Sequence, residues 1–425
     1  MRHSERRSAG CLALILAGCL AGFSGVAMAA NLNVTWNGGS GNWEDPTKWG
    51  GGVVPNNGPG NTFNVFIDGG NGVSSAVTLY TSEAVSTLTI DQGDQLIENN
   101  GSALGIAGGP AINNGVWALN TTGATTDIWL VGGVTVSGTG SIVMNNALFL
   151  NNRILTDGTV FTQAAGHMIR GSGQLLVDTG GMINLGTVIA DQPAGLWIDP
   201  NDLGFTNQGL LQAKSSGTLT LKAGTLTNTG GIIEALDLSR VEIQTGATVV
   251  GGEVRSSGTG VVAPLGGTLA NVTTGGTVQQ DDAQAMTIID GLINNATWTL
   301  STTGHPTDLN FIGGATLSGT GSIVMSNALF LNNRILTDDT VLTQAAGHTI
   351  RGSGQLLADT GGMVNQGTII ADQPNGLVVD PNDLSFTNQG LLQAMSGGTL
   401  TLTAGTFVNT DGIIEALDGA EVQII

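Results

Sequence analysis

The chain has 425 residues, with 12 Lys or Arg against 32 Asp or Glu, a formal net charge of −20, and only 10% charged residues beside 40% apolar ones. An acidic balance of this size repels nucleic acid and anionic lipid, so nucleic-acid binding is excluded and cation binding is favoured. The apolar content is enough for a packed core, which excludes intrinsic disorder, and the 68 glycines favour turns over helices.

Residues 1–29 read as an export signal. Arg2, Arg6 and Arg7 form a positive n-region, Leu12 to Val26 is an apolar stretch, and Ala27-Met28-Ala29 is a small-x-small cleavage site. Leu16-Ala17-Gly18-Cys19 has the form of a lipobox, so acylation of Cys19 is the alternative processing. Both cysteines, Cys11 and Cys19, lie in this segment, and a chain beginning at Ala30 has no disulfide and no thiolate metal site. Without the three arginines and one glutamate of the signal, 9 basic and 31 acidic residues remain, a net of −22. No later stretch reaches the ~18 apolar residues of a membrane span. The expected location is extracellular or cell-surface.

Residues 30–110 read as an N-terminal cap and first coils. Trp36, Trp43 and Trp49 cluster there, either closing the open end of a solenoid or offering rings that stack on sugars. Gly50-Gly51-Gly52 lacks the Lys and helix start of a phosphate loop and reads as a turn.

The rest of the chain is repetitive, as block one over 111–291 and a truncated block two over 292–425. Asn113–Ile243 matches Asn294–Ile424 at one constant offset with no insertion, and Asn146-Ala-Leu-Phe-Leu-Asn-Asn-Arg-Ile-Leu-Thr-Asp157 recurs letter for letter at Asn327–Asp338. A finer period runs inside each block. Asn184, Asn207 and Asn228 open variants of one Asn-x-Gly…Ala phrase, and Asn365, Asn388 and Asn409 keep the same two spacings. Between them lie alternating pieces such as Thr218-Leu-Thr-Leu-Lys222 and Val241-Glu-Ile-Gln244, as half-buried strands require.

A unit of ~20 residues cannot bury its own apolar face, but stacked coils can, each strand pairing above and below at about 4.8 Å. The expected fold is therefore all-β, a right-handed parallel β-helix with ~20–23-residue coils, about 18 to 19 of them in a rod on the order of 90 Å. Asparagines at equivalent corners are placed to form a hydrogen-bonded ladder along the axis. Helical solenoids, propellers and collagen fail on period and composition; an array of β-sandwiches stays open. Trp117 and its duplicate Trp298 sit in strand-like pieces and are expected to be packed.

Three groups of residues invite a chemical reading. Asp199-Pro-Asn-Asp202 and Asp380-Pro-Asn-Asp383 gather oxygen ligands that suit Ca²⁺, and equally form an Asx-type turn at a coil corner. Asp199, Asp202, Asp380 and Asp383 are the only metal candidates, and no other cofactor is implied. His167 with Arg170, and His348 with Arg351, could serve a polysaccharide lyase or hydrolase if Asp178 and Asp191, or Asp359 and Asp372, converged on them. The plainer expectation puts each His–Arg pair on a solvated coil face. Thr87/Thr89, Thr218/Thr220, Thr225/Thr227 and Thr399/Thr401/Thr403 are too sporadic for an ice-binding face.

His348-Thr-Ile-Arg-Gly-Ser-Gly354, Val364-Asn-Gln-Gly-Thr-Ile-Ile-Ala371 and Thr406-Phe-Val-Asn-Thr-Asp-Gly-Ile-Ile-Glu-Ala416 resemble repeats of large bacterial surface proteins, the β-strand-repeat, autotransporter-passenger and filamentous-haemagglutinin-like solenoids. Thr35-Trp-Asn-Gly-Gly-Ser-Gly-Asn-Trp-Glu-Asp-Pro-Thr-Lys-Trp49 is similar to the opening of such chains. The resemblance covers nearly the whole chain after the signal and implies a secreted or cell-surface protein, often adhesive. An autotransporter would end in a membrane barrel and a sorted protein in an anchor, whereas Ile424-Ile425 aligns inside block one, at Ile243-Gln244. A fragment is expected, with its export route open. The expected function is a non-enzymatic, structural or adhesin-like surface protein whose partner is a host or environmental surface or a polysaccharide. The alternative is a carbohydrate-active β-helix enzyme.

Overall fold

The computed structural model describes residues 30–67, 72–145, 150–326 and 331–425. Residues 1–29, where the export signal and the lipobox at Cys19 are expected, lie outside the described residues. The chain is an all-β parallel solenoid of about 15 turns, averaging about 23 residues, with 57% strand and 1% helix. The turn count is lower than the sequence suggests because several turns are long. Ala30 pairs with Asn61, Ala111 with Val136 and Thr135 with Thr162. Fifteen turns at the parallel-strand spacing make a stack of about 70 Å.

Each turn has three sides, so three parallel sheets run the length of the stack. In block one, sheet A carries Val116–Asn120, Ser141–Met144, Met168–Gly171, Thr187–Ala190, Leu210–Ala213, Ile232–Ala235 and Glu253–Ser256. Sheet B carries Thr126–Val131, Asn152–Thr156, Gly173–Leu175, Leu196–Ile198, Thr218–Leu221, Arg240–Gln244 and Val261–Leu265. Sheet C carries Thr135–Ser137, Val160–Gln163, Gly181–Asn184, Phe205–Asn207, Gly224–Thr227 and Ala247–Val250. The strands are short because a corner interrupts the chain every few residues, and they alternate because only one side of each sheet faces inward.

The inward residues stack in columns. On sheet A, Trp117, Ile142, Ile169, Val188, Leu211, Ile233 and Val254 lie in register and are fully buried. Burial of each such side chain contributes roughly 1.5–3 kcal/mol. Corners need conformations that most residues resist. Gly171 has a φ of 118°, and a Cβ there would collide with the Met144 carbonyl. The equivalent Gly352 meets Met325 in the same way.

The two sequence blocks meet without a break but out of angular register. Thr268–Asp281 runs round all three sides, pairing with Thr248 on sheet C, Glu253 on A and Val262 on B. Ala285–Ser301 follows it round, spanning the sequence boundary at 291/292. Thr307–Ile312, the copy of sheet-B strand Thr126–Val131, then stacks on Ala285–Ile289 and so lies on sheet C. Thr316–Ser318, copying a C strand, stacks on Leu292 and Ile293 of sheet A. Ser322–Met325, copying an A strand, stacks on Thr297–Leu300 of sheet B. The duplicated unit is thus not a whole number of turns. Block two repeats block one advanced by one side of the triangle.

Candidate functional site

Alternation along a strand decides which candidate side chains reach solvent. In Met168–Gly171, Ile169 points inward and Arg170 outward. His167 sits one residue earlier, at the corner between sheets C and A, and its ring turns into the core, 1% exposed. His348 is 0% exposed at the copied corner. This corrects the expectation that His and Arg share a solvated face: the imidazoles are interior and only the guanidiniums lie outside. Arg170 Nη1 pairs with Asp191 Oδ2 at 3.2 Å, and Arg351 Nη2 with Asp372 Oδ2 at 2.9 Å.

The imidazoles belong to an internal amide network. Asn113 Oδ1 accepts from the Gly115 backbone N–H at 3.2 Å, which turns its Nδ2 toward His167 Nε2, also at 3.2 Å. In block two, Asn294 Oδ1 accepts from Ala296 N and Thr274 Oγ1, and its Nδ2 faces His348 Nε2 at 3.0 Å. Because each Nε2 must accept, the ring is neutral and carries its proton on Nδ1. Burial pushes both imidazoles down to about 4. Gln163 and Gln344 reinforce the corners, donating from Nε2 to the His167 and His348 carbonyls at 2.8 Å.

The carboxylates proposed to join these histidines do not. Asp178 lies at the corner between Gly173–Leu175 and Gly181–Asn184, between sheets B and C. Asp191 follows Thr187–Ala190, at the corner between A and B. His167, Asp178 and Asp191 therefore occupy three different corners, and the copies His348, Asp359 and Asp372 are dispersed in the same way. The Asp178 backbone N–H donates to the Asp199 carbonyl at 2.7 Å, and the residue is exposed at its corner.

The two Asp-Pro-Asn-Asp runs form Asx turns, the first between sheets B and C and the second, in the turned block, between C and A. Asn201 Oδ1 accepts from Leu203 N, and Asn382 Oδ1 from Leu384 N, both at 2.9 Å. Asp202 and Asp383 are exposed at the tips. Asp199 Oδ2 lies 3.6 Å from Lys222 Nζ, which itself sits 4.5 Å over the Trp197 ring. Block two has Val378 and Thr403 in place of Trp197 and Lys222. Asp380 loses that cation, and burial together with Asp359 raises its carboxyl above the usual range. Among the described residues, no group of three or more His, Cys, Asp or Glu is placed to hold a metal.

Trp36, Trp43 and Trp49 form an end cap. All three are at most 1% exposed and pack edge to face, with centroids 5.0 and 4.8 Å apart. Their indole N–H groups donate to the carbonyls of Gly39, Pro55 and Trp43. No ring face is left for a sugar. Trp117 and Trp298 are fully buried. The threonine pairs make no array: on sheet B, Thr220 stacks between Trp197 and Glu242.

Two adjoining shallow clefts of about 500 and 540 Å³ follow the corner between sheets C and A, lined by Asp94, Asn114 and Thr139 from successive turns. Asp94 Oδ1 already accepts from Ser75 N at 2.8 Å. The outer faces are tied by bonds between turns: Arg153 grips Asp127 through two bonds of 2.7 and 2.6 Å, Arg334 does the same to Asp308, and Arg255 holds Glu234.

Three features are not apparent in the sequence reading. One is the Asn–His contact, which spans 54 residues. Another is the run of left-handed residues Leu176, Val177 and Asp178, repeated at Leu357, Ala358 and Asp359. The last is the buried carboxyl of Glu98 beneath Trp117. Comparison with protein-family models, with curated proteins and with solved structures finds no match to this chain.

Proposed function

We propose that the chain is a non-enzymatic extracellular or cell-surface rod with a structural or adhesive role, exported by the signal that precedes Ala30. One observation carries the reading: the side chains best suited to catalysis are committed to holding turns together. His167 and His348 are neutral hydrogen-bond acceptors inside the core. Arg170 and Arg351 face outward against Asp191 and Asp372. The remaining outer surface is a set of flat sheet faces whose polar groups pair between turns, which suits a rigid support. The partner class in this reading is a host or environmental surface, or a polysaccharide.

The test uses purified residues 30–425. Saturable retention on a polysaccharide or cell surface, with the polymer recovered intact, is the expected result. Chain cleavage of an acidic or neutral polysaccharide that disappears in His348→Ala would overturn the reading in favour of a carbohydrate-active enzyme. Binding without saturation, or none to any surface tried, would remove the adhesive role and leave a spacer.

A further inference from the structure

Among the described residues, Glu98 is a carboxyl drawn wholly into the core, and the duplicated block shows what its position requires. Glu98 pairs in register with Leu119, and Gln280 with Leu300, the copy of Leu119. The two residues are therefore structural equivalents, although they lie one position further apart than the matched pairs of the two blocks. Glu98 Oε1 accepts the Trp117 indole N–H at 2.7 Å, and Gln280 Oε1 accepts that of Trp298 at 3.2 Å. Gln280 then uses its other terminal atom as a donor, Nε2 bonding the carbonyls of Gln284 and Asp308 at 2.9 and 2.7 Å. Ser102 and Asp127 stand where Gln284 and Asp308 stand in block two, and Asp127 N donates to the Ser102 carbonyl as Asp308 N does to Gln284. Glu98 Oε2 is buried without a well-formed hydrogen bond, and its equivalence to Gln280 Nε2 places it toward the Ser102 and Asp127 carbonyls, with the Leu104 backbone N–H as the nearby donor. A carboxylate offers only lone pairs there; a carboxylic acid offers the O–H that the site calls for.

We propose that Glu98 is held as an uncharged carboxylic acid that donates from Oε2 as Gln280 donates from Nε2, and that its ionisation in alkali is a latch release for the turns around it, absent from block two.

The charged groups on the packed elements do not offset an anion. Glu83, on Ser82–Val85, is itself a half-buried acid bonded to Thr81. Asp127, on Thr126–Val131, is acidic and engaged by Arg153 on the outer face. Gln95–Asn99, Val116–Asn120 and Ala76–Leu79 contribute no cation. Burial, the largest influence, pushes the carboxyl well above its ordinary value, and Asp127 adds to it. The Trp117 indole and the Leu104 backbone oppose that shift without cancelling it. The sign follows. An unfolded glutamate ionises at mildly acid pH, so the unfolded chain sheds this proton first. The contribution of Glu98 is complete below that point and is lost as pH rises toward the folded value.

The experiment compares the full chain with Glu98→Gln and Gln280→Glu from about pH 5 to about pH 9. The wild-type unfolding equilibrium is expected to rise relative to Glu98→Gln by up to about tenfold per pH unit. Amide protection factors, taken relative to the intrinsic exchange rate at each pH, should fall with pH across 95–99 and 116–120 in the wild type but not in Glu98→Gln. Gln280→Glu should transfer the same sensitivity to the turns around Trp298. A protonated-carboxyl infrared band at neutral pH, absent from Glu98→Gln, reports the acid directly and needs no unfolding. A wild-type to Glu98→Gln difference that stays constant with pH, or no such band, would overturn the proposal.

Discussion

Asn184 donates from Nδ2 to Asn207 Oδ1 at 2.7 Å, one turn above it and fully buried. Asn207 passes the bond on to Asn228 Oδ1, also at 2.7 Å, and Asn365, Asn388 and Asn409 repeat the chain in block two. Each central amide both donates and accepts between turns, so the ladder sets the register of successive coils as well as closing their corners. A one-residue slip would leave two buried amides unpaired.

Asn207→Ala should therefore cost about 2–4 kcal/mol, because it strands the Asn184 amide and the Asn228 carbonyl in the core. Gln389→Ala breaks an amide pair of similar form, Gln366 to Gln389 at 3.1 Å, on the exposed surface. It should cost under about 0.5 kcal/mol. Denaturant midpoints for the two variants check the contrast; equal losses would deny the ladder its role.

Acid should weaken the rod through His167 and His348. An unfolded imidazole takes a proton near 6.5, and the folded ones only at about 4. Between those values the unfolded chain binds more protons, so the stabilisation is whole above about 6.5 and is lost as pH falls toward 4. Each site accounts for about 3 kcal/mol over that window. His167→Gln with His348→Gln should flatten the acid side of the stability profile. A double variant that keeps the wild-type slope would contradict the assignment.

The coil and the ladder were readable in the sequence because a ladder demands one asparagine per turn, so the steps from Asn184 to Asn207 and from Asn207 to Asn228 are the turn lengths themselves. The buried histidines were not. The alternation does carry through the corner, with His167 inward like Ile169 while Met168 and Arg170 face out, but a polar imidazole next to Gly166 reads as part of the exposed turn rather than as the first inward position of the strand. The angular offset between blocks was hidden because a letter-for-letter duplication says nothing about how many sides fit in its length. Glu98 and Gln280 escaped because the one-residue change in offset breaks the match ahead of Asn113 and Asn294.

The corner after Gly173–Leu175 carries strain that can be relieved. Val177 has a φ of 48° between Leu176 at 77° and Asp178 at 59°. A β-branched residue is poorly suited to that region, and block two has Ala358 in its place. Val177→Gly should raise stability by about 1 kcal/mol, the left-handed penalty outweighing the added freedom of the unfolded chain. Thermal unfolding reads this directly, and a lower midpoint would show that the Val177 side chain contributes more by contact than it costs in strain.

The lost cation of block two suggests a gain. Thr403→Lys restores the counterpart of Lys222 opposite Asp380, without the tryptophan beneath it. At this partly exposed corner the expected gain is about 0.5 kcal/mol, and it should shrink in high salt. A gain indifferent to salt would point to packing instead.

The central claim is a three-sided parallel stack in which block two is turned by one side. Both cysteines of the chain precede residue 30, so engineered pairs in residues 30–425 report alone. Thr277 and Thr297 are register partners on sheet B, although Thr297 copies Val116 of sheet A, and Thr273 lies on sheet A against Glu253. Oxidation should cross-link Thr277→Cys with Thr297→Cys, leaving Thr273→Cys with Thr297→Cys open. Cross-linking of the second pair in place of the first would mean that the duplicated faces align and would contradict the offset.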